Sequence, residues 1–290
     1  MPAPGSATLD REPVAVVTGG TGGIGRWIAL GLAGAGYQVI LIGRDPDRLR
    51  AACGWIGNRV PEQVPVAVAA DLSLLAETRQ AAADVLGRAP VVDILVNNAG
   101  TLSGRRVETR EGHETTLAVN HLAPFVLTRA LLPGLQRSGR GRVVMTGSST
   151  SDHARLDPDD LELRRLWRMT RAYGRSKLAS LMTSVELARE TAGSGVTINV
   201  VHPGLVATGL VRTGGFAQLA WKAMAPFVLT EAEGADTPVH AALAPELKGV
   251  SGRYLKQRVV VAPNPLVDDP VLRRQVLRAT ERLVGQALDR

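Results

Sequence analysis

Val14-Ala15-Val16-Val17 runs without a break into Thr18-Gly19-Gly20-Thr21-Gly22-Gly23-Ile24-Gly25, and a helical pattern with Trp27, Ile28, Leu30 and Leu32 follows. A short, continuous apolar run is the pattern of a strand buried on both faces. Glycines let the backbone turn tightly and approach a pyrophosphate. The helix after them offers free N–H groups and the positive end of its dipole. A glycine loop alone says little, but between a strand and a helix it is the context a dinucleotide-binding loop requires.

The same alternation continues along the chain. Val39–Ile42 reads as a second strand, Val64–Ala69 as a third, Ile94–Val96 as a fourth, Arg142–Met145 as a fifth and Thr197–Val201 as a sixth, with a short last strand at Arg253–Leu255. Helical patterns lie between them, one from Ser73 as cap to Leu86, one over Thr115–Leu132 and one from Tyr173 to Thr191; another follows at 231–243. Strands alternating with helices predict an α/β fold, a doubly wound, mostly parallel sheet of about seven strands covered on both faces. Residues 13–290 are expected to form one domain after a frayed tail at 1–12. Residues 151–172 have mixed charge and little periodicity and read as an excursion near the site.

In such a sheet ligands bind at the carboxyl ends of the strands. Strand two ends in Gly43-Arg44. An acid there would bond a ribose 2′-hydroxyl, whereas arginine suits a 2′-phosphate, so NADP(H) is preferred and NAD(H) remains open. Asp45, before Pro46, reads better as a helix N-cap than as a ribose ligand. Asp71-Leu72 follows strand three; Asp71 either accepts from an adenine amine or caps the next helix.

Tyr173 and Lys177 stand four apart, one above the other on a helix. A phenol titrates near 10, and a nearby ammonium favours the phenolate. The pair is a plausible device for moving a proton on or off an alcohol oxygen. Alone, such a pair is more often a surface tyrosine and a solvated lysine. Asn120, amid Leu117, Val119, Leu122 and Phe125, is either a satisfied core amide or a site residue.

Apolar residues make up 45% of the 290 and charged residues 21%, as in globular chains. A net charge of +7 admits an acidic partner or a phosphorylated cofactor, but the arginines are scattered among acids and aromatics are only 3%, which disfavours nucleic acid. No apolar run is long enough to span a membrane, and the N-terminus lacks the pattern of a signal peptide. One cysteine, Cys53, excludes an internal disulfide, and the five histidines lack metal-ligand spacing; no metal is expected. A cytoplasmic location is the default. Phe216, Leu219, Trp221, Met224 and Phe227, within a lid-like stretch at 205–229, are either ordinary packing or a cover for an apolar substrate. The amphipathic residues 270–288 are expected to pack on the body rather than on a membrane.

TGGTGGIG at 18–25, NNAG at 97–100, Asn120, Ser148, YGRSK at 173–177 and HPG at 202–204 occur in an order that resembles the short-chain dehydrogenase/reductase family, from Val14 to about Tyr254. REGHETTLAVNHLAPFVLT at 110–128, VHPGLVATGLVR at 201–212 and the long separation of Ser148 from Tyr173 look most like its retinol dehydrogenase-like branch. The resemblance implies that Tyr173 is the general acid/base, that Lys177 lowers its pKa and holds the nicotinamide ribose, that Ser148 rather than Ser149 polarises the substrate oxygen, and that Asn120 supports a water linked to Lys177. It implies cofactor contacts at Thr18, Gly19, Thr21, Gly22, Gly23, Ile24, Gly25, Arg44, Asp71, Leu72, Asn98, Ala99, Gly100, Tyr173, Lys177, Pro203, Gly204, Val206 and Thr208, the last to the carboxamide. The chain departs from close relatives at Ala123-Pro124, where they carry Gly-His, and the proline is expected to bend the helix; residues 256–290 fall outside the match. The implied function is hydride transfer between NADP(H) and a carbonyl or alcohol of a lipophilic small molecule. A reductase of carrier-bound acyl chains, or a non-catalytic NADP-sensing protein, are the alternatives. A homodimer is compatible with the reading.

Overall fold

The computed structural model describes residues 11–206 and 229–286. One eight-stranded sheet forms the centre. The strands are β1 (Val14–Thr18), β2 (Gln38–Gly43), β3 (Val66–Ala69), β4 (Ile94–Asn97), β5 (Gly141–Thr146), β6 (Val196–His202), β7 (Tyr254–Lys256) and β8 (Val259–Val261). Their order is β3-β2-β1-β4-β5-β6-β7-β8, with every pair parallel except β7–β8.

The apolar runs are continuous because both faces of the sheet are covered. Val16, Ile40 and Ile42 point into one core with α3 (Leu75–Arg88), while Ala15, Val17, Val39 and Leu41 point into the other with α1 (Gly23–Gly34) and α2 (Pro46–Gly57). Alternation of side chains across the pleat sends neighbouring residues to opposite cores. Each fully buried Leu or Ile contributes ~1.5–3 kcal/mol. The second core also takes α7 (Glu231–Leu243), and the first takes α6 (Met169–Glu190) and α8 (Pro270–Gln286).

Four details differ from expectation. The eighth strand had no turn signature, because the β7–β8 hairpin turns on Gln257 and Arg258, both at positive φ (48° and 66°), where Asn-Gly is the usual choice. The helix over 115–132 is interrupted: α4 (Thr115–Leu117) passes through a π turn at Ala118–Leu122 into α5 (Ala123–Ser138). Pro124, the second residue past the π turn, has no N–H for the carbonyl of Asn120, the residue four back. Ser73 does not cap α3; the Glu111 carboxylate accepts from Leu75 N (2.5 Å) and Ala76 N (2.9 Å) instead. Arg11 does not belong to a frayed tail, since its guanidinium makes two 2.8 Å bonds to Asp93. Burial alone would raise the Asp93 carboxyl, but bonds from Arg11, Ser138 and the Val14 N–H hold it below the usual carboxylate range.

The expected N-cap at Asp45 is present, accepting from Asp47 N and Arg48 N with Pro46 in the first turn. α8 packs its apolar face on α6, with Val276 and Thr280 fully buried and Arg273 paired with Glu186 at 2.6 Å. Among the described residues no helix is long and apolar enough to cross a membrane. Thr208 and the apolar set Phe216, Leu219, Trp221, Met224 and Phe227 lie outside the described residues.

Candidate active site

The parallel order brings the ends of β1, β4, β5 and β6 to one edge of the sheet. At β1, Gly19 takes φ 68°, and a Cβ there would stand 2.9 Å from Ala99 Cα. A Cβ at Gly25 would collide with the Gly19 carbonyl and the Asn98 amide. Gly22 opens α1 with no side-chain cap, so the first N–H groups of the helix have no side-chain acceptor at that position. Close backbone approach and an uncapped helix start form a cradle that suits a pyrophosphate. Thr18 braces this cradle: its Oγ1 accepts from Asn98 N and Ala99 N at 3.0 Å each, and Asn98 Nδ2 donates to the Thr18 carbonyl. Ile24 packs beside Val206 and Gly234, which ties the end of β6 to the same loop. Gly204 stands there at φ 90°, after Pro203.

Arg44 is exposed just past β2, and the Asp45 carboxylate is committed to capping α2. Arg48, which the sequence did not single out, lies over the loop, its Nη2 being 3.5 Å from where a Gly22 Cβ would stand. At the end of β3 the Asp71 carboxylate turns back to accept from Ser73 N (2.9 Å), next to buried Leu72.

Tyr173 sits in the second turn of α6, because the helix opens at Met169 rather than at the tyrosine. Its phenol lies near enough to Ser148, just past β5, for that hydroxyl to lower its pKa; Ser148 Oγ also accepts from Thr150 N (3.3 Å) and Thr150 Oγ1 (3.0 Å), whereas Ser149 is exposed. Lys177 is buried one turn along and donates to the Thr146 carbonyl at 2.8 Å. Gly100 faces both Asn120 Oδ1 and Lys177 Nζ. The Asn120 amide is fully engaged: Nδ2 donates to the Thr101 carbonyl (3.0 Å) and Ser176 Oγ (3.1 Å), and Oδ1 accepts from Thr101 N (2.7 Å).

The electrostatics depart from the sequence argument. Burial pushes the Tyr173 phenol up, and the Ser148 hydroxyl only partly offsets it. Lys177 is 5.8 Å from the ring centroid, and burial takes its own ammonium down to about 8. Desolvation therefore outweighs the lysine's field in the protein without ligand.

A second buried network supports the site and was not legible in the sequence. Ser180 Oγ donates to the Asn120 carbonyl (2.8 Å), which Pro124 leaves without its helical donor. His121, neutral because burial lowers it to about 3, lies 3.4 Å from Ser180 through Nδ1 and 2.8 Å from Thr280 Oγ1 through Nε2. Thr280 gives its own proton to the Val276 carbonyl, so it accepts from His121 Nε2–H. α8 thus reaches the π turn that carries Asn120. Ser180 lies three residues beyond Lys177, but its partners are some 60 and Thr280's some 159 residues away. Thr280→Val should lower unfolding free energy by about 1–3 kcal/mol, because the imidazole N–H is left buried without an acceptor. Thr280→Ser should restore most of it; equal urea midpoints for the Val and Ser variants would contradict this assignment.

Residues 13–215 match the family model described as short chain dehydrogenase. Mouse polyprenol dehydrogenase is 38% identical over 287 residues, covering 96% of this chain and 86% of that protein. Human retinol dehydrogenase 13 is 35% identical, covering 97% and 87%. Among solved structures, L-sorbose reductase from Gluconobacter frateurii, complexed with NADPH and L-sorbose, aligns with a TM-score of 0.69 at 25% identity, covering 84% of this chain and 94% of that one.

Proposed function

Because the chain belongs to the short-chain dehydrogenase/reductase family, in its retinol dehydrogenase-like branch, and is thereby an NAD(P)-dependent oxidoreductase of CH–OH and C=O groups, we propose that it is a cytoplasmic, NADP(H)-preferring enzyme that interconverts a ketone or aldehyde and an alcohol on a lipophilic small molecule. The observation that carries this reading is the Tyr173–Ser148 hydroxyl pair with buried Lys177 one turn away, beside the cradle of Gly19, Gly22 and Gly25. Retinol and polyprenol, in the names of two relatives, are apolar alcohols, which supports the substrate class.

A dinucleotide fits the cradle, since the loop has room for phosphate only where Cβ atoms are missing and the start of α1 is uncapped. Thr21, Gly22, Gly23 and Ile24 would hold the pyrophosphate, Arg44 the 2′-phosphate, Asp71 and Leu72 the adenine side, and Asn98, Ala99, Gly100, Lys177, Pro203, Gly204, Val206 and Thr208 the nicotinamide side. When bound, a reduced nicotinamide supplies a hydride to the carbonyl carbon. Tyr173 gives its proton to the carbonyl oxygen, and Ser148 donates a hydrogen bond to the same atom, so that both stabilise the growing negative charge. In oxidation Tyr173 takes the proton back. Lys177 favours the phenolate that remains. The Asn120 amide, clamped on Thr101 and Ser176, keeps the π turn in place above them.

A panel of aldehydes and ketones, including retinaldehyde, read by loss of NADPH absorbance, tests the reading; NADPH binding with no turnover across the panel would favour a cofactor-sensing protein. Arg44→Asp should weaken NADPH relative to NADH by roughly 10–10²-fold, the worth of a charge-assisted hydrogen bond. Tighter NADH than NADPH binding in the unaltered protein would overturn the assignment of Arg44.

A further inference from the structure

We propose that the two loops flanking the catalytic groups form a docking face for an anionic lipid surface. The first loop leaves Thr101, which holds the Asn120 amide, and the second enters α6 four residues before Tyr173. They are joined side by side. Buried His113 Nδ1 meets buried Glu162 at 2.9 Å, Arg164 closes on the other Glu162 oxygen at 2.8 Å, and Arg106, Glu108, Gly112 and Arg164 line a shared cavity of about 410 Å³.

The face is basic. Arg105 and Arg110 on the first loop, and Arg165, Arg168 and Arg171 around the second, are exposed and make no ion pair among the described residues. The nearby acids are largely spent: Glu162 is buried on His113 and Arg164, Glu108 pairs with Arg106, Glu111 caps α3, and Asp160 accepts from Arg164 N. Asp157 and Asp159 stay exposed at the start of the excursion. Amid the arginines stands Leu166, 79% exposed, held at φ 50° with its carbonyl taken by Arg171 at 3.1 Å. A leucine seldom adopts that backbone conformation. Half-buried Trp167 follows it, and Val107 on the first loop is 37% exposed.

Cations on adjoining loops, unpaired among the described residues, with a presented aliphatic side chain next to a tryptophan, match a membrane surface, where headgroups take the charge and the acyl boundary takes the leucine. An acidic protein would account for the arginines but not for Leu166. The docking needs no turnover; its use, delivery of a bilayer-dissolved substrate to Tyr173, rests on the proposed oxidoreductase reading.

The full chain is sedimented with vesicles of phosphatidylcholine alone and of phosphatidylcholine with about three parts in ten phosphatidylglycerol. Binding should favour the anionic vesicles at least roughly tenfold and weaken as salt rises from about 0.1 to 0.5 M. Joint replacement Arg165→Ala, Arg168→Ala and Arg171→Ala should cost ~10²-fold, about fivefold per arginine, and Leu166→Ser should weaken binding at unchanged salt dependence. NADPH quenching and the melting temperature report whether each variant is folded. Equal partition to both vesicles, or full binding by the folded triple variant, overturns the proposal. So does binding confined to an acidic acyl carrier protein. Vesicle binding without turnover would leave the docking standing and remove the catalytic reading.

Discussion

Tyr173→Phe is expected to lower kcat by at least ~10²-fold while NADPH binding stays within about twofold. The ring and its packing survive; only the hydroxyl goes. With it go the proton donor and one of two hydrogen bonds to the oxygen that becomes negative. A general acid contributes ~10²–10⁴-fold and one oxyanion donor about 10²–10³-fold, but both losses fall on one atom and are not multiplied. Ser148 then remains the only donor to that oxygen, so Ser148→Ala on the Tyr173→Phe background should lower kcat further, by up to ~10²-fold. Because burial raises the phenol, the unliganded tyrosine holds its proton through the neutral range, the form that reduction needs. Single-turnover and steady-state rates with NADPH check the prediction. Near-full activity in Tyr173→Phe would remove the residue from the acid role.

Lys177→Met is expected to differ, losing ~10²-fold or more in kcat and about tenfold or more in NADPH affinity. Lys177 is buried, and its ammonium donates to the Thr146 carbonyl. In the proposed mechanism a charged group held there serves both the tyrosine and the ribose of the cofactor. Its pKa of about 8 makes affinity dependent on pH. Below that value the ammonium is present; above it the amine is neutral and the attraction fades. NADPH affinity of the unaltered protein should therefore weaken as pH rises through and above about 8, with binding itself pulling the midpoint upward. In Lys177→Met the same titration should be flat. Fluorescence quenching of NADPH across the range distinguishes the two. A variant that lost turnover but kept the affinity and its pH slope would confine Lys177 to a role beside Tyr173.

Much of the architecture followed from local pattern. Each parallel strand is buried on both faces, so Val14–Val17, Val39–Ile42 and Ile94–Val96 had to read as unbroken apolar runs. The glycine loop was legible because a Cβ at Gly19 would meet the Ala99 backbone and one at Gly25 the Gly19 carbonyl, so glycine is needed at both. Asp45 before Pro46 was legible because a cap acts over two or three residues. For the same reason the Tyr173–Lys177 pair announced itself: four residues make one helical turn.

What tertiary structure alone decided depends on partners that are distant in the chain, or on solvent. α3 is capped from 36 residues away by Glu111, and Asp93 clasps Arg11 across 82. The β7–β8 hairpin forms on Gln257-Arg258, against local preference, because strand pairing outweighs the cost of two positive φ angles. Pro124 announced a bend, but not that Ser180 would take the carbonyl it leaves free, nor that His121 and Thr280 would stand behind it. The direction of the Tyr173 shift was misread for the same reason. The residue four positions on is visible in sequence, whereas the loss of water around the phenol, the larger effect here, is set by everything that packs against it.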